Sequence, residues 1–232
     1  LFVFSFKPDS NRLIGINSDL LDFNAKGKFQ LTAAIGDMAM LAKEYALYFF
    51  DNELNRQSYY TRKMFDVPKN YAVNFNLLLK NTDPLMAFFY PEGRITRNAR
   101  FEGVFTMGNT STFNFSGKAD TLILGEYKFY KSDIDIVTSK FSHNPEVLAS
   151  GIISSKNQKL NILAPTENLE MEASWDNDRI RFSGGLRQTG STNRADLNGD
   201  LRFTQSGLVL SLQRLSFLLH RQTCFIQFLE II

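Results

Sequence analysis

A two-residue rhythm of apolar and polar side chains runs through most of this chain and restarts repeatedly. Tyr71, Val73, Phe75, Leu77 and Leu79 are apolar, and Asn74, Asn76 and Lys80 between and beside them are polar. The beat returns at Phe113-Phe115-Gly117-Ala119, Leu169-Met171-Ala173-Trp175, Ile180-Phe182-Gly184-Leu186 and Ala195-Leu197-Gly199-Leu201-Phe203, each name marking every second residue. Side chains alternate faces along a strand, so each stretch predicts a strand with one apolar and one wet face. Turn signals at Met107-Gly108-Asn109, Asp176-Asn177-Asp178, Gln188-Thr189-Gly190-Ser191 and Gln205-Ser206-Gly207 fall at a spacing that suits hairpins. From Ile95 to Leu212 the chain reads as an antiparallel meander. No strand-helix-strand crossover pattern is present, which argues against parallel-sheet nucleotide folds.

Composition narrows the class further. With 232 residues, 44% hydrophobic and 22% charged, the chain has a folding composition, and its length suits one large all-β domain or two smaller ones. A formal net charge of +2 and the lack of a basic cluster interleaved with aromatics argue against a nucleic-acid partner. The 22 Phe and 8 Tyr against a single Trp supply strand-forming, large apolar surface. The one cysteine, Cys224, permits no internal disulfide. No apolar run approaches the ~18 residues of a membrane-spanning helix. Leu1 to Phe6 is already strand-like, so the chain reads as an internal fragment of a longer protein, and missing targeting signals then carry no information.

Two short amphipathic helices interrupt the strands. Leu21 to Leu31 alternates as a strand; from Asp37 to Phe50 the period changes, with Met38, Leu41, Ala42, Tyr45, Tyr48 and Phe49 at helical spacing and Asp37 as the N-cap. Residues 51–66 read as a loop. Thr82-Asp83-Pro84 is a helix-start signal, Leu85, Phe88 and Phe89 share a face over residues 83–90, and Pro91 stops the helix. The expected fold is therefore all-β: an elongated, curved antiparallel sheet with two short helices. Residues 1–212 form one continuous segment. Beyond Arg214 the alternation fails, and residues 213–232, with His220 and Cys224, are a tail of separate character.

Chemistry is sparse. Asp196-Leu197-Asn198-Gly199-Asp200 spells the first half of a calcium loop, but Leu201 and Gly207 occupy the positions where the loop needs Gly and Glu. Asp133 and Asp135 share a strand face and could pair as acid and base, or lie on a solvated face beside Lys131 and Lys140. His143 has no nucleophile nearby except the distant Cys224, and Ser174 and Ser183 lack an elbow motif. Asn109-Thr110-Ser111 is a formal glycan acceptor. No catalytic residue, metal site or cofactor is expected. The apolar stripe leaves two readings open: the core of a sandwich closed by a second sheet, or a groove open to hydrocarbon. By alternation, its inward residues are Phe29, Leu31, Val73, Phe75, Leu77, Leu79, Phe113, Phe115, Met171 and Trp175.

The stretch Leu169 to Leu212, with its Trp175-Asp176-Asn177 turn, Gly-spaced strand and Leu201-Arg202-Phe203 ending, resembles the TamB (translocation and assembly module) and AsmA-like envelope proteins of Bacteroidetes-type bacteria. Asn74 to Lys80 followed by Asp83-Pro84-Leu85 and Phe88 to Pro91, and Gly27 to Leu31 leading into the first helix, are similar to that family too. The resemblance implies a "β-taco", a long curved sheet with a hydrophobic inner groove. It implies a periplasmic protein anchored to the inner membrane through an N-terminal segment missing here. The partners it implies are phospholipid acyl chains and an outer-membrane assembly protein of the barrel type. It implies no catalytic residues. The alternatives are a structural or adhesive β-repeat protein of the cell surface with a closed core, and a carbohydrate-active sandwich using Asp133 and Asp135.

Overall fold

In the computed structural model, which describes residues 1–7, 11–63, 69–161, 164–205, 207–219 and 222–226, all fourteen strands join one antiparallel sheet. They are β1 (Phe2–Phe6), β2 (Arg12–Asn17), β3 (Leu21–Gly27), β4 (Tyr71–Leu79), β5 (Gly93–Ile95), β6 (Ala99–Met107) and β7 (Thr110–Leu124). There follow β8 (Tyr127–Phe141), β9 (Val147–Leu160), β10 (Thr166–Asp176), β11 (Arg179–Gln188), β12 (Arg194–Thr204), β13 (Gly207–Leu219) and β14 (Gln222–Ile226). Each strand pairs with its sequence neighbours, except β5, which pairs with the far end of β7 and leaves β4 to pair with β6. Sequential pairing is what hairpin turns produce. Asn177 and Gly190 adopt the left-handed conformation (φ 54° and 69°) that two of these turns require. The fold is the all-β curved sheet the alternation predicts. Among the described residues no second sheet faces it.

Among the described residues three helices accompany the sheet rather than two: α1 (Leu31–Phe50), α2 (Glu53–Lys63) and α3 (Asp83–Phe89). The expected strand through Leu31 ends at Gly27, where a Cβ would collide with the Ala72 carbonyl. Leu31 opens α1, and Ala33, Ala34, Ala39, Ala42 and Ala46 favour the longer helix. Asp37 is therefore not a cap. It is buried in the helix's second turn, accepting hydrogen bonds from Lys69 Nζ (2.7 Å) and Tyr71 Oη (2.6 Å). The stretch read as a loop holds α2; residues 64–66 of it lie outside the described residues. Asn52 Oδ1 accepts the Asn55 amide at its start, and Glu53 and Arg62/Lys63 sit at the ends where the helix dipole favours them.

The tail joins the sheet as β13 and β14; residues 220–221 and 227–232, like Ser206 between β12 and β13, lie outside the described residues. The broken alternation at Arg214 has a local cause. Gly199 pairs with Leu212 but Asn198 pairs with Arg214, so Gln213 is an extra residue in a bulge. The bulge shifts the phase by one, which keeps Leu210, Leu212, Leu215 and Phe217 in register with the same face.

Candidate functional site

Register assembles the apolar halves of the strands into transverse rows. The first, which we call the helix-side row, carries Val73, Phe105, Phe113, Thr138, Ala149, Trp175, Ile180 and Leu201 on successive strands from β4 to β12. Two residues further along the strands the middle row carries Ile14, Ala25, Phe75, Gly103, Phe115, Ile136, Gly151, Ala173, Phe182 and Gly199. Two residues beyond lies a row that crosses all thirteen strands of the main path. From β1 to β6 it is Val3, Ile16, Phe23, Leu77 and Phe101. From β7 to β13 it is Gly117, Ile134, Ile153, Met171, Gly184, Leu197 and Leu215, with Ile226 next in register. Every position is apolar or glycine. At about 4.8 Å between strands the row is about 58 Å long.

The opposite face is polar. Asn74, Asn76, Glu102, Asn114, Ser116 and Asp135 line one of its clefts, and Glu170, Glu172, Arg187, Arg194 and Asp196 another. Its apolar exceptions include Phe2, Phe4, Phe6, Leu13, Leu78, Val104, Val137, Phe141, Leu148 and Ile152.

Glycines shape the floor of the apolar face. Phe75 lies directly across from Gly103, Phe101 from Gly117, Met171 from Gly184 and Phe182 from Gly199. In each pair the large side chain lies over the glycine, where a Cβ would stand 2.5 Å from Phe75 Cζ, 2.5 Å from Phe101 Cδ1, 3.3 Å from Met171 Cγ or 2.7 Å from Phe182 Cζ. A bare backbone lets the chain lie flat and shields the strand from water. The rings continue sideways as a ladder: Phe75 stacks on Phe113 (6.1 Å), Phe113 on Phe115 (6.1 Å) and Phe115 on Phe101 (5.7 Å). The ladder crosses β4, β6 and β7.

Helix α1 packs on both ends of the helix-side row. Ala34 packs with Ile14, Ala25, Phe29 and Val73 at one end. At the other, Tyr45, Tyr48 and Phe49 meet Trp175 edge-on at 5.3–5.5 Å, and Tyr48 and Phe49 also meet Phe203. Ala34 to Phe49 spans about 22 Å of helix, whereas β4 to β12 spans about 34 Å of sheet, so the sheet curves toward α1. Tyr45 Oη donates to the carbonyls of Ser139 (3.3 Å) and Leu148 (2.8 Å), and Tyr48 Oη to that of Pro145 (2.7 Å). Burial raises both phenols above the usual tyrosine range.

The buried charges of α1 lie on its flank nearest the hairpin turns. Glu44 is buried and ion-paired with Lys63, accepts Tyr59 Oη (3.1 Å) and faces Lys140 Nζ at 3.9 Å. Lys140, also buried, donates to the carbonyls of Asn144 (2.5 Å) and Glu146 (3.2 Å) beneath the Tyr60 ring. Burial lowers its pKa to about 8, with Glu44 opposing the shift. His143 Nδ1 donates to the Lys63 carbonyl at 3.2 Å, so it serves the same junction.

Of the residues expected to face inward, Val73, Phe113 and Trp175 lie in the helix-side row, Phe75 and Phe115 in the middle row, and Leu77 and Met171 in the open one. Leu79 lies two residues beyond and is buried. Phe29 and Leu31 are corrections: neither is on the sheet, since Phe29 packs beneath α1 and Leu31 is its first residue. Alternation missed Phe101, Ile134 and Ile153, although Ile134 and Ile153 sit in strands whose two-residue period is legible once the register is known; Leu197 is in one of the apolar beats but outside the expected inward set. Asp133 is taken by Lys118 (2.9 Å) rather than Lys131 or Lys140, and Asp135 lines a polar-face cleft without it. Asp196 and Asp200 are on a strand, with Asp200 held by Arg179 and Arg202. Among the described residues no group of three His, Cys, Asp or Glu is placed to hold a metal ion, and no helix is long and apolar enough to cross a membrane. No protein-family model, curated protein or solved structure matches the chain.

Proposed function

We propose that the open row and the middle row beside it form a track for hydrocarbon, and that the chain is a segment of an envelope protein that conducts phospholipid acyl chains. The supporting observation is the thirteen-strand apolar row, left without a facing layer among the described residues: Ile153 and Met171 within it are 45% and 44% exposed. No ionisable side chain occurs in the middle and open rows, where Ser5, paired with Ile14, is the one polar side chain; Thr138 and Arg12, the latter in register with Val73 through Gly27, belong to the helix-side row. Exposure of a bare chain of about sixteen carbons costs on the order of 12 kcal/mol at about 0.8 kcal/mol per CH₂. A flat, uniform floor removes most of that barrier without binding the chain so tightly in one place that it stops. The row is nearly four times the ~15 Å depth of one bilayer leaflet, so several chains fit end to end.

The resemblance to TamB and AsmA-like proteins agrees in kind with this reading. It adds, as part of the same proposal, a periplasmic location, an inner-membrane anchor, an outer-membrane barrel partner, and a role in lipid transport or outer-membrane protein assembly. The test is extraction of fluorescent phosphatidylethanolamine from vesicles by the chain and by its Met171→Asp variant. The substitution is at an exposed position, so the far-UV spectrum is expected to stay unchanged while extraction falls at least tenfold. Unchanged extraction, or none by the parent chain, would favour the structural or adhesive reading.

A further inference from the structure

Helix α1 wears its amphipathicity inside out. Its buried residues include the carboxylates Asp37 and Glu44, while Ile35 is 59% exposed, Phe49 42% and Leu31 39%. The two sets lie on different flanks. With Ala34 taken as pointing at the sheet, Asp37 and Glu44 lie about 60° and 80° to one side, and Leu31, Ile35, Ala42 and Phe49 about 60–100° to the other. The partners fix which side is which. Asp37 reaches Tyr71, Glu44 reaches Lys140 and Tyr48 reaches Pro145, all toward the hairpin turns. The bare apolar flank therefore looks the other way along the strands, over the middle and open rows.

We infer that this flank of α1 is the side wall of the track and touches the same acyl chain that lies on its floor. The inference rests on the proposed function. Three features commit the stripe to that occupant. It carries no charge, as the rows beside it carry none. It is continuous with them through Phe49, which packs on Trp175 (5.4 Å) in the adjoining row. It runs about 27 Å from Leu31 to Phe49, across the strands and parallel to the rows. Floor and wall together make a right-angled corner that contacts a chain on two sides, with the headgroup left toward water. The buried carboxylates are what orient the helix: their pairing with Lys69, Tyr71, Lys63 and Tyr59 fixes the rotation that turns Ile35 toward the track.

The test places p-benzoylphenylalanine at Ile35, at Ile153 or at Lys43 of the whole chain. Lys43 is exposed on the side of α1 away from the sheet. Each protein is illuminated with vesicles of phosphatidylethanolamine and phosphatidylglycerol bearing tritiated acyl chains, then separated from the vesicles by flotation. The expected result is label at Ile35 and Ile153 in protein free of vesicles, with at least tenfold less at Lys43. Label at Ile153 alone overturns the wall and leaves the track standing. Label at Ile35 only in protein that floats with the vesicles overturns it in favour of a helix that docks on a bilayer. Label at neither position overturns the wall and the track together. Ile35→Glu is expected to preserve the far-UV spectrum and lower label at Ile153 at least threefold; unchanged label would overturn the shared corner.

Discussion

Two glycines of the same row carry opposite predictions. Gly103 lies under the Phe75 ring; an added Cβ would sit 2.5 Å from both Phe75 Cζ and the Asn114 carbonyl, against an ordinary contact of at least 3.4 Å. The overlap is about 0.9 Å on each side, one of them backbone. The ring has nowhere easy to go, since it stacks on Phe113 and packs against the cluster beneath α1. A forced rotamer costs about 0.5–1.5 kcal/mol, and loss of the stacking a similar amount. Gly103→Ala should therefore destabilise by about 1–3 kcal/mol, within the range of overpacked cores. At Gly151 the same Cβ would meet only Asp135 O at 3.7 Å and Ile136 Cγ1 at 3.9 Å. Gly151→Ala should stabilise by about 0.5–1 kcal/mol, because it relieves the entropy loss of a glycine in a strand. Urea denaturation followed by circular dichroism should separate the two midpoints by about 1 M at a slope of about 2 kcal/mol per M. Coincident midpoints, or a stabilised Gly103→Ala, would refute the idea that Phe75 lies flat on bare backbone.

Buried charges yield three more expectations, two at the α1 junction and one at Asp200. Lys140 has a folded pKa near 8 against 10.5 in the free side chain. Between those values the unfolded chain holds a proton that the fold has released, so stability rises with pH, by on the order of 3 kcal/mol in all. Above pH 10 the raised phenols of Tyr45, Tyr48, Tyr60 and Tyr71 reverse the sign, since the unfolded tyrosines lose protons first. Lys140→Met should abolish the rise and keep the fall in a series of thermal melts. Glu44→Gln leaves Lys63 and Lys140 facing no carboxylate at that position; hydrogen exchange should quicken at least tenfold across residues 31–63 and stay unchanged in β10 and β11. For Asp200, burial pushes the carboxyl up, but hydrogen bonds from Arg179 and Arg202 outweigh it and hold the pKa below its usual value. Its contribution is present above pH 3.8 and lost as pH falls through the lower folded value. Asp200→Asn should cost about 1–3 kcal/mol at neutral pH, less than a fully buried pair because both arginines are partly exposed, and should blunt the acid limb of the unfolding profile.

The strands were legible because each obeys a period of two, and their antiparallel order followed from the turns at Asn177 and Gly190. What alternation cannot supply is phase across a bulge. Gln213 shifts the pattern by one, which made an ordinary strand look like a foreign tail. Helix α2 was illegible for another reason: its sequence is mostly polar, with no apolar stripe, and it holds its place through Lys63, Tyr59 and Tyr60 acting on Glu44 and Lys140, residues distant in sequence. Asp37 deceived in the same way. A carboxylate after glycine has the local look of a cap, whereas Lys69 and Tyr71 make it a buried acceptor. Phe29 and Leu31 continued the beat of β3 by composition alone, after Gly27 had already ended the strand.

Ile152 and Ile153 are neighbours, each 45% exposed, on opposite faces of β9. Methyl spectra of isoleucine-labelled protein, recorded with a phospholipid that bears a nitroxide on its acyl chain, test the hydrocarbon track most directly. The expected result is strong broadening of Ile153 and Ile134, with Ile152 left sharp. Equal broadening of Ile152 and Ile153, or none at either, would contradict the open row as the place where an acyl chain lies.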